Sequence, residues 1–311
     1  MQEPIAKYFH VGVIHPMAYP SVIKGDGPIL ETLKKILDDE YFSAVEVTWI
    51  QNPKIRAEAA KMLKCAHVDV IFAGQPPLLT QKLDINAVDE AARQKAIEQC
   101  KNSVDQAYEL GASILVLLSG PDPADCDRKG AAKRLADSLI QICKYAQEKA
   151  NGGKTITVSL ETFDRTTDKK CLIGPTEEAV ALAKKVRAEC PNFGLTVDLS
   201  HQPMLGESIA QMVKTASQYL VHTHIGNAML GDKSSPAYGD QHPAFGCDCG
   251  ENDVDEVVEF LKSLQKIGFF RKNLPTSMPV VSFEVKPLAG EDSEIVVAGA
   301  KRVLNEAWAR L

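Results

Sequence analysis

Short apolar runs rich in β-branched residues alternate along the chain with longer segments whose apolar positions recur three and four residues apart, and the alternation is completed eight times. The runs predict strands at residues 9–14, 44–49, 68–73, 113–118, 155–160, 193–197, 219–223 and 280–283. The intervening segments predict helices at 28–37, 52–65, 86–110, 128–150, 176–189, 208–217, 253–267 and 294–309. In the first helix, Ile29, Leu33 and Ile36 with Leu37 share one face. Asn52-Pro53 supplies the cap and first-turn residues that open a helix, and Gly111 the residue that ends one. Ile114-Leu115-Val116-Leu117-Leu118 is apolar without alternation, as expected of a parallel strand covered on both faces.

Strict strand–helix alternation implies a parallel sheet with right-handed crossovers. Eight such units in 311 residues imply α/β architecture: a (β/α)8 TIM barrel, one domain spanning residues 1–311. An open doubly wound sheet competes, but no Gly-x-Gly-x-x-Gly follows the first strand to support it. No linker or change of composition divides the chain. The Gly/Pro-rich stretch 226–250 reads as a long loop, a candidate lid or partner surface.

A net charge of -6 argues against a nucleic-acid partner, which needs a basic face. Met1-Gln2-Glu3-Pro4 does not begin a basic-then-apolar leader, and no apolar run has the length to span a bilayer. The expected location is the cytoplasm, with no membrane partner. The cysteines (Cys65, Cys100, Cys126, Cys143, Cys171, Cys190, Cys247 and Cys249) are then expected to be reduced. Cys247-Asp248-Cys249 lacks the spacing and the second pair of a zinc knuckle, and reads as a loop with two thiols.

The candidate chemistry lies in the second half, in Ser159-Leu160-Glu161-Thr162, Val197-Asp198-Leu199-Ser200-His201, Val221-His222-Thr223-His224-Ile225-Gly226 and Ser282-Phe283-Glu284-Val285-Lys286. Each closes an apolar run with a carboxylate or an imidazole. Barrel chemistry sits at the C-terminal strand ends, and Glu161, Asp198, His224 and Glu284 end strands five to eight. Neighbouring strands lie about 4.8 Å apart, so four consecutive ends can converge on one ion. Three carboxylates and one imidazole form a hard, oxygen-rich set that suits Mn²⁺, with Co²⁺, Mg²⁺ and Zn²⁺ as alternatives. A single strand-end carboxylate is more often a cap or an ion-pair partner, and His222 or His224 alone reads equally well as a hydrogen-bonded interior residue. Four on consecutive ends make a metal the better explanation. At the other strand ends, His15, Glu46, Trp49, Gln75 and Lys286 are candidates for lining the pocket, with Trp49 able to stack a sugar ring. Asp240 and His242 in the long loop are candidates for substrate contact or a second metal.

Leu-Glu-Thr, Asp-Leu-Ser-His, His-Thr-His-Ile-Gly and Phe-Glu-Val-Lys-Pro, in this order, resemble the motifs of the xylose-isomerase-like TIM-barrel superfamily. That group includes ketose epimerases, inosose isomerases and dehydratases, and apurinic endonucleases, and the resemblance covers nearly the whole chain. It implies that Glu161, Asp198, His224 and Glu284 hold the metal. It also implies that Glu161 and Glu284 move protons and that His201 bonds the substrate or assists at the metal. Departures accompany it: the epimerase Arg is Leu230 here, one Glu is Thr167, and the Glu after His-Ile-Gly is Asn227, a candidate substrate contact. The endonuclease cluster needs histidines where this chain has Gln75 and Ser119.

The expected function is a divalent-metal-dependent sugar or polyol isomerase or epimerase. Proton abstraction next to a carbonyl would proceed through a metal-stabilised enediolate. A lyase using the same enolate, acting on 3-oxo-glycosides, C-glycosides or inososes, is the alternative; a non-catalytic polyol-binding barrel is the second. The resemblance further implies a sugar, polyol or keto-glycoside substrate and a homo-oligomer, with a small second subunit in some relatives.

Overall fold

The computed structural model describes residues 3–123 and 127–311; the tip of the predicted 120–127 loop, including Cys126, lies outside them. At the centre are β1 (His10–Val13), β2 (Ala44–Val47), β3 (Asp69–Ala73), β4 (Ile114–Leu118), β5 (Thr157–Glu161), β6 (Phe193–Asp198), β7 (Leu220–Gly226) and β8 (Val280–Glu284). They form one sheet in the order β1-β8-β7-β6-β5-β4-β3-β2, with every ladder parallel. The ring closes between β1 and β2 through an Ile14–Glu46 bridge and the Ser43 N–H donating to the Val11 carbonyl at 3.0 Å. This is the nearly closed TIM barrel that the alternation requires, and the open sheet is excluded.

The outer ring consists of α1 (Ile29–Leu37), α2 (Pro53–Ala66), α3 (Glu90–Leu110), α4 (Arg128–Lys149), α5 (Thr176–Arg187), α6 (Ile209–Ala216), α7 (Val254–Lys266) and α8 (Ser293–Ala309). Asn52 caps α2 by accepting the Lys54 N–H at 2.9 Å, and Gly111 ends α3 at φ 78°, a left-handed turn that costs glycine nothing. No helix among the described residues is long and apolar enough to cross a membrane. The structure adds short helices at His15–Ala18 and Gln75–Thr80, directly after β1 and β3. Pro16 and Pro76, placed in their first turns, favour helix where apolar patterning alone suggested strand ends.

Two hydrophobic cores result. The large one lies between strands and helices and includes Phe72, Phe193, Leu117 and Leu261. The small one, Ala44, Ile71, Ile114, Val116 and Val280, fills the floor of the barrel. Toward the C-terminal strand ends the interior turns polar, with Glu46, Glu161, Asp198, His222 and His224 all fully buried.

One irregularity sets the level of that polar layer. Leu195 pairs with Leu220, but Thr196 pairs with His222, so β7 carries an extra residue at Val221. The shift brings His224 opposite Asp198. Without it Thr223 would stand there, and the imidazole would point to the other face of the sheet. One strand further, Gly226 pairs with Glu284, and a Cβ on Gly226 would come within 2.4 Å of the Glu284 carbonyl oxygen. Only glycine lets β7 and β8 approach this closely beside the site.

Truncating Phe72 tests the outer core, since its ring is fully buried between sheet and helices. Phe72→Ala is expected to cost about 3–5 kcal/mol, read as a fall in the urea midpoint with the far-UV circular dichroism of the folded state retained.

Candidate metal centre

Four consecutive strands end in donors. Glu161 closes β5, Asp198 closes β6, His224 lies two residues before the end of β7, and Glu284 closes β8. Each of the four places one ligand atom within 4.8 Å of all the others. The His224 Nδ1 lies 3.1 Å from Glu161 Oε1 and 2.9 Å from Glu284 Oε2. Ligands about 2.1 Å from a divalent ion stand roughly 3–4.2 Å apart, so a small contraction would complete the shell. The donor chemistry fits as well. Three carboxylates converge in the barrel end, and Asp198 is pushed up by burial and, against the His201 charge, by Glu284.

The other face of the His224 ring is also held. Its Nε2 lies 3.1 and 3.2 Å from the two Glu46 oxygens, and His222 Nε2 lies 2.6 Å from Glu46 Oε1. A carboxylate accepts only, so both ring nitrogens donate. Burial lowers the imidazole, but Glu46 and Glu161 hold it well above its ordinary value. A bound ion would replace the Nδ1 proton while Glu46 keeps the one on Nε2. Burial opposes the Glu46 charge, but His224 and His222 hold it below the usual carboxylate range. Glu46, predicted as a substrate contact, is instead placed behind His224, a candidate metal ligand, and bonded to it. The trio Glu46, His222 and His224 could itself gather a cation, but Glu46 is already bonded to both rings.

His201 lies alongside. Its Nδ1 donates to the Thr162 carbonyl at 2.7 Å, and its Nε2 faces Asp240 Oδ1 at 2.9 Å and Asp198 Oδ2 at 3.7 Å. Burial lowers this imidazole, but Asp240 and Asp198 outweigh it and hold the group well above its ordinary value. His242 Nε2 reaches the same Asp240 oxygen at 2.9 Å and Glu284 Oε1 at 3.3 Å. Asp198, His201 and His242 also place ligand atoms within 4.8 Å of one another, so this second donor set adjoins the first and shares Asp198 with it.

A cleft of about 160 Å³ opens onto the centre, with Gln75, Phe163, Lys169, Gln241, His242, Glu284 and Lys286 in its lining. Gln75 Nε2 donates to Glu161 Oε2 at 2.6 Å, and Lys286 donates to Gln241 Oε1 at 2.6 Å. Gln75, His242 and Lys286 thus stand where strand-end reasoning put them. Trp49 does not. Its indole N–H donates to the Ile23 carbonyl at 3.2 Å, in a crevice shared with His15, whose Nε2 lies 2.8 Å from Thr32 Oγ1. Both sit between barrel and helix rather than in the cleft, and burial pushes His15 down to about 3. Asn227 is likewise turned away: its amide donates to the Ala244 carbonyl at 2.9 Å and its oxygen accepts the Asn252 N–H at 2.8 Å, which clamps the long loop. That loop pairs Met229 with Gly239 and Gly250, and its His242 carbonyl accepts the Lys286 N–H at 2.8 Å, anchoring it to the end of β8.

Phe163 and Lys169 escaped sequence reasoning. Phe163 packs on His201 with ring centroids 4.4 Å apart. Lys169 is brought in by a turn in which Asp164 accepts the backbone N–H groups of Thr167, Asp168 and Lys169 at 2.6–2.8 Å. Its ammonium lies 2.8 Å from Asp240 Oδ2 and 3.3 Å from Asp168 Oδ2. Burial works against that charge, but the two carboxylates raise it above the usual lysine value. The Asp164 turn was the available signal, although the position of Lys169 eight residues past its strand hides it.

The model of the family described as xylose isomerase-like TIM barrel matches residues 38–272. A putative hydroxypyruvate isomerase from Xenopus laevis is 22% identical over 197 residues, 63% of this chain and 70% of that protein. Among solved structures, a D-tagatose 3-epimerase-like protein superposes with a TM-score of 0.70 at 18% identity, covering 97% of this chain and 99% of the other. The IOLI protein with a bound zinc atom gives 0.71 at 16%, covering 97% and 99%. A 3-keto-D-glucoside 4-epimerase from E. coli gives 0.64 at 17%, covering 96% and 99%.

If Glu46 orients His224, Glu46→Gln should weaken Mn²⁺ binding by about 10–100-fold in calorimetry while the folded far-UV spectrum is kept. Unchanged affinity would remove that role from Glu46.

Proposed function

The chain belongs to the xylose isomerase-like TIM barrel family, and from that premise we propose that it is a divalent-metal-dependent enzyme that isomerises or epimerises a sugar-like hydroxy ketone. The observation that carries this reading is the grouping of Glu161, Asp198, His224 and Glu284, each within 4.8 Å of the others, with Glu284 in the lining of a cleft. Bound there, a divalent cation supplies positive charge beside the substrate carbonyl and acidifies the neighbouring C–H. Mn²⁺ is the proposed ion, because the donors are three carboxylate oxygens and one imidazole.

The residues divide the remaining work. Glu284 lines the cleft, whereas Glu161 is fully buried behind the Gln75 amide. Glu284 is therefore the proposed base that meets the substrate first, and Glu161 the carboxylate that returns the proton from the other side of the set. His201, which donates from Nδ1 to the Thr162 carbonyl and meets Asp240 Oδ1 with Nε2, is the proposed group that assists at the metal by holding positive charge beside Asp198 and Asp240. Phe163 keeps water off that ring.

A second outcome, expulsion of a leaving group after the same deprotonation, is supported by the opposite wall of the cleft. Ile14, Pro16, Met17, Ile23, Pro76 and Leu79 form an apolar surface that suits a substrate with a nonpolar arm. An inosose or 3-oxo-glycoside lyase would share every residue named above.

Solvent exchange tests the common step. With Mn²⁺ bound, the chain is expected to exchange substrate C–H for deuterium with at least one member of a panel of ketoses, inososes and 3-oxo-glycosides. Chelation should abolish the exchange, and Glu284→Gln should slow it by about 10²–10⁴-fold. Altered stereochemistry at constant mass marks an isomerase or epimerase; a released aglycone or water marks a lyase. Absence of exchange across the whole panel would sink both readings.

A further inference from the structure

The loop after β5 and the long loop after β7 meet at one carboxylate. Asp168 Oδ2 accepts the Asp240 N–H at 3.1 Å and the Gln241 side-chain amide at 2.9 Å, and the Lys169 ammonium lies 3.3 Å from the same oxygen. That ammonium also reaches across the contact, to Asp240 Oδ2 at 2.8 Å and to the Asp240 carbonyl at 3.2 Å. Gln241 passes the contact on, because its Oε1 accepts from Lys286 at 2.6 Å. Lys169, Asp240, Gln241 and Lys286 line the cleft, whereas Asp168 stands behind that lining.

Both sides are shaped for this approach. Asp164 is fully buried and accepts the Asp168 N–H at 2.8 Å, so the turn that carries Asp168 is fixed from its own side. Across from it Gly239 adopts φ 83°, and a Cβ there would stand 3.0 Å from the Asp168 Cβ. Glycine supplies the left-handed turn and the clearance together. Beyond the contact lies the metal centre. Asp240 Oδ1 meets His201 and His242, and His242 Nε2 lies 3.3 Å from Glu284 Oε1. The four candidate ligands are carried by strands, but Asp240 and His242 are carried by the loop. We propose that Asp168 is a positioning residue: by tying residues 239–241 to the loop after β5, it sets where Asp240 and His242 stand against the metal centre, without touching ion or substrate. Hydrogen bonds to an ionised acceptor are stronger than neutral ones, and this carboxylate takes three, so its removal should release the segment as a unit.

The inference rests on the proposed reading only in taking the centre as the reacting site, and its main readouts need no turnover. Asp168→Ala removes the acceptor, Gly239→Ala keeps it but adds the methyl that forces the loops apart, and Asp168→Asn keeps an acceptor oxygen without the charge. Hydrogen exchange read by mass spectrometry on the Mn²⁺-loaded chain follows residues 239–242 and, as a reference, β7 residues 221–225. Loop amides are expected to exchange at least about tenfold faster in the two Ala variants, and by less in the Asn variant, as loss of a charge-assisted bond implies. The β7 rate and the Mn²⁺ affinity should stay unchanged, because strands carry the ligands. With Co²⁺ in place of Mn²⁺, the visible absorption bands should shift in both Ala variants, because His242 contacts Glu284 and Asp240 contacts His201. Wild-type loop exchange in Asp168→Ala would overturn the proposal. So would faster loop exchange with an unshifted Co²⁺ spectrum, or an equal rise in the β7 rate, which marks a merely structural role. Gly239→Ala and Asp168→Asn decide on the same readouts if Asp168→Ala does not fold. Substrate C–H exchange, run in parallel, separates the two failures. None in the wild type, with the loop and Co²⁺ changes as expected, counts against the metal-enediolate reading alone; a wild-type rate in Asp168→Ala counts against the positioning role alone.

Discussion

His224 is held on two sides, and the polar end of the barrel is arranged around that fact. One ring nitrogen faces Glu161 and Glu284 at 3.1 and 2.9 Å, while the other faces Glu46. An imidazole offers one lone pair per deprotonated nitrogen, so a carboxylate that keeps the proton on Nε2 leaves Nδ1 as the nitrogen that an ion would take. The geometry depends in turn on the extra residue in β7. A regular ladder would turn His222 and His224 outward together and leave Glu46 a buried carboxylate with neither ring to bond.

The interior of the barrel is accordingly split. Ala44, Ile71, Ile114, Val116 and Val280 give the floor dry packing, and the large core between sheet and helices stabilises the ring from outside. That division frees the strand ends to carry buried charge. Glu161, Asp198, His201, His222 and His224 are all fully buried, a concentration of ionisable groups that would be costly without opposite charges and hydrogen bonds in contact.

Loops complete what the strands begin. The Asp164 turn delivers Lys169, and the long loop after β7 delivers Asp240, Gln241 and His242, with Asn227 and the Lys286 backbone holding it in place. His242 adopts φ 50°, an uncommon conformation for a side-chain-bearing residue, as its ring reaches both Asp240 and Glu284. The polar side of the cleft is thus shaped by two segments without regular secondary structure, each tied back to a strand end, and the apolar side by the short helices after β1 and β3.

Hydrophobic period and strand–helix count were enough to specify the barrel, and strand order then followed from the handedness of parallel crossovers. The grouping of the four candidate ligands was legible for the same reason: Glu161, Asp198, His224 and Glu284 lie at or near strand ends, and the C-terminal ends of consecutive strands in a closed parallel barrel must be neighbours. Gln75, His242 and Lys286 were readable to the extent that position along the chain predicts nearness to the barrel mouth. Position does not specify direction. Trp49 and His15 follow strands yet turn toward the helices, Glu46 points inward to a histidine from a strand far away in sequence, and Asn227 is consumed by its own loop. The register shift at Val221 has no signature in the alternation of β7, because Leu220, Val221 and His222 are all buried. These were settled only in the tertiary structure, since a side chain's partner is chosen by packing and hydrogen bonding across strands and loops, and neither is written in the local period of the chain.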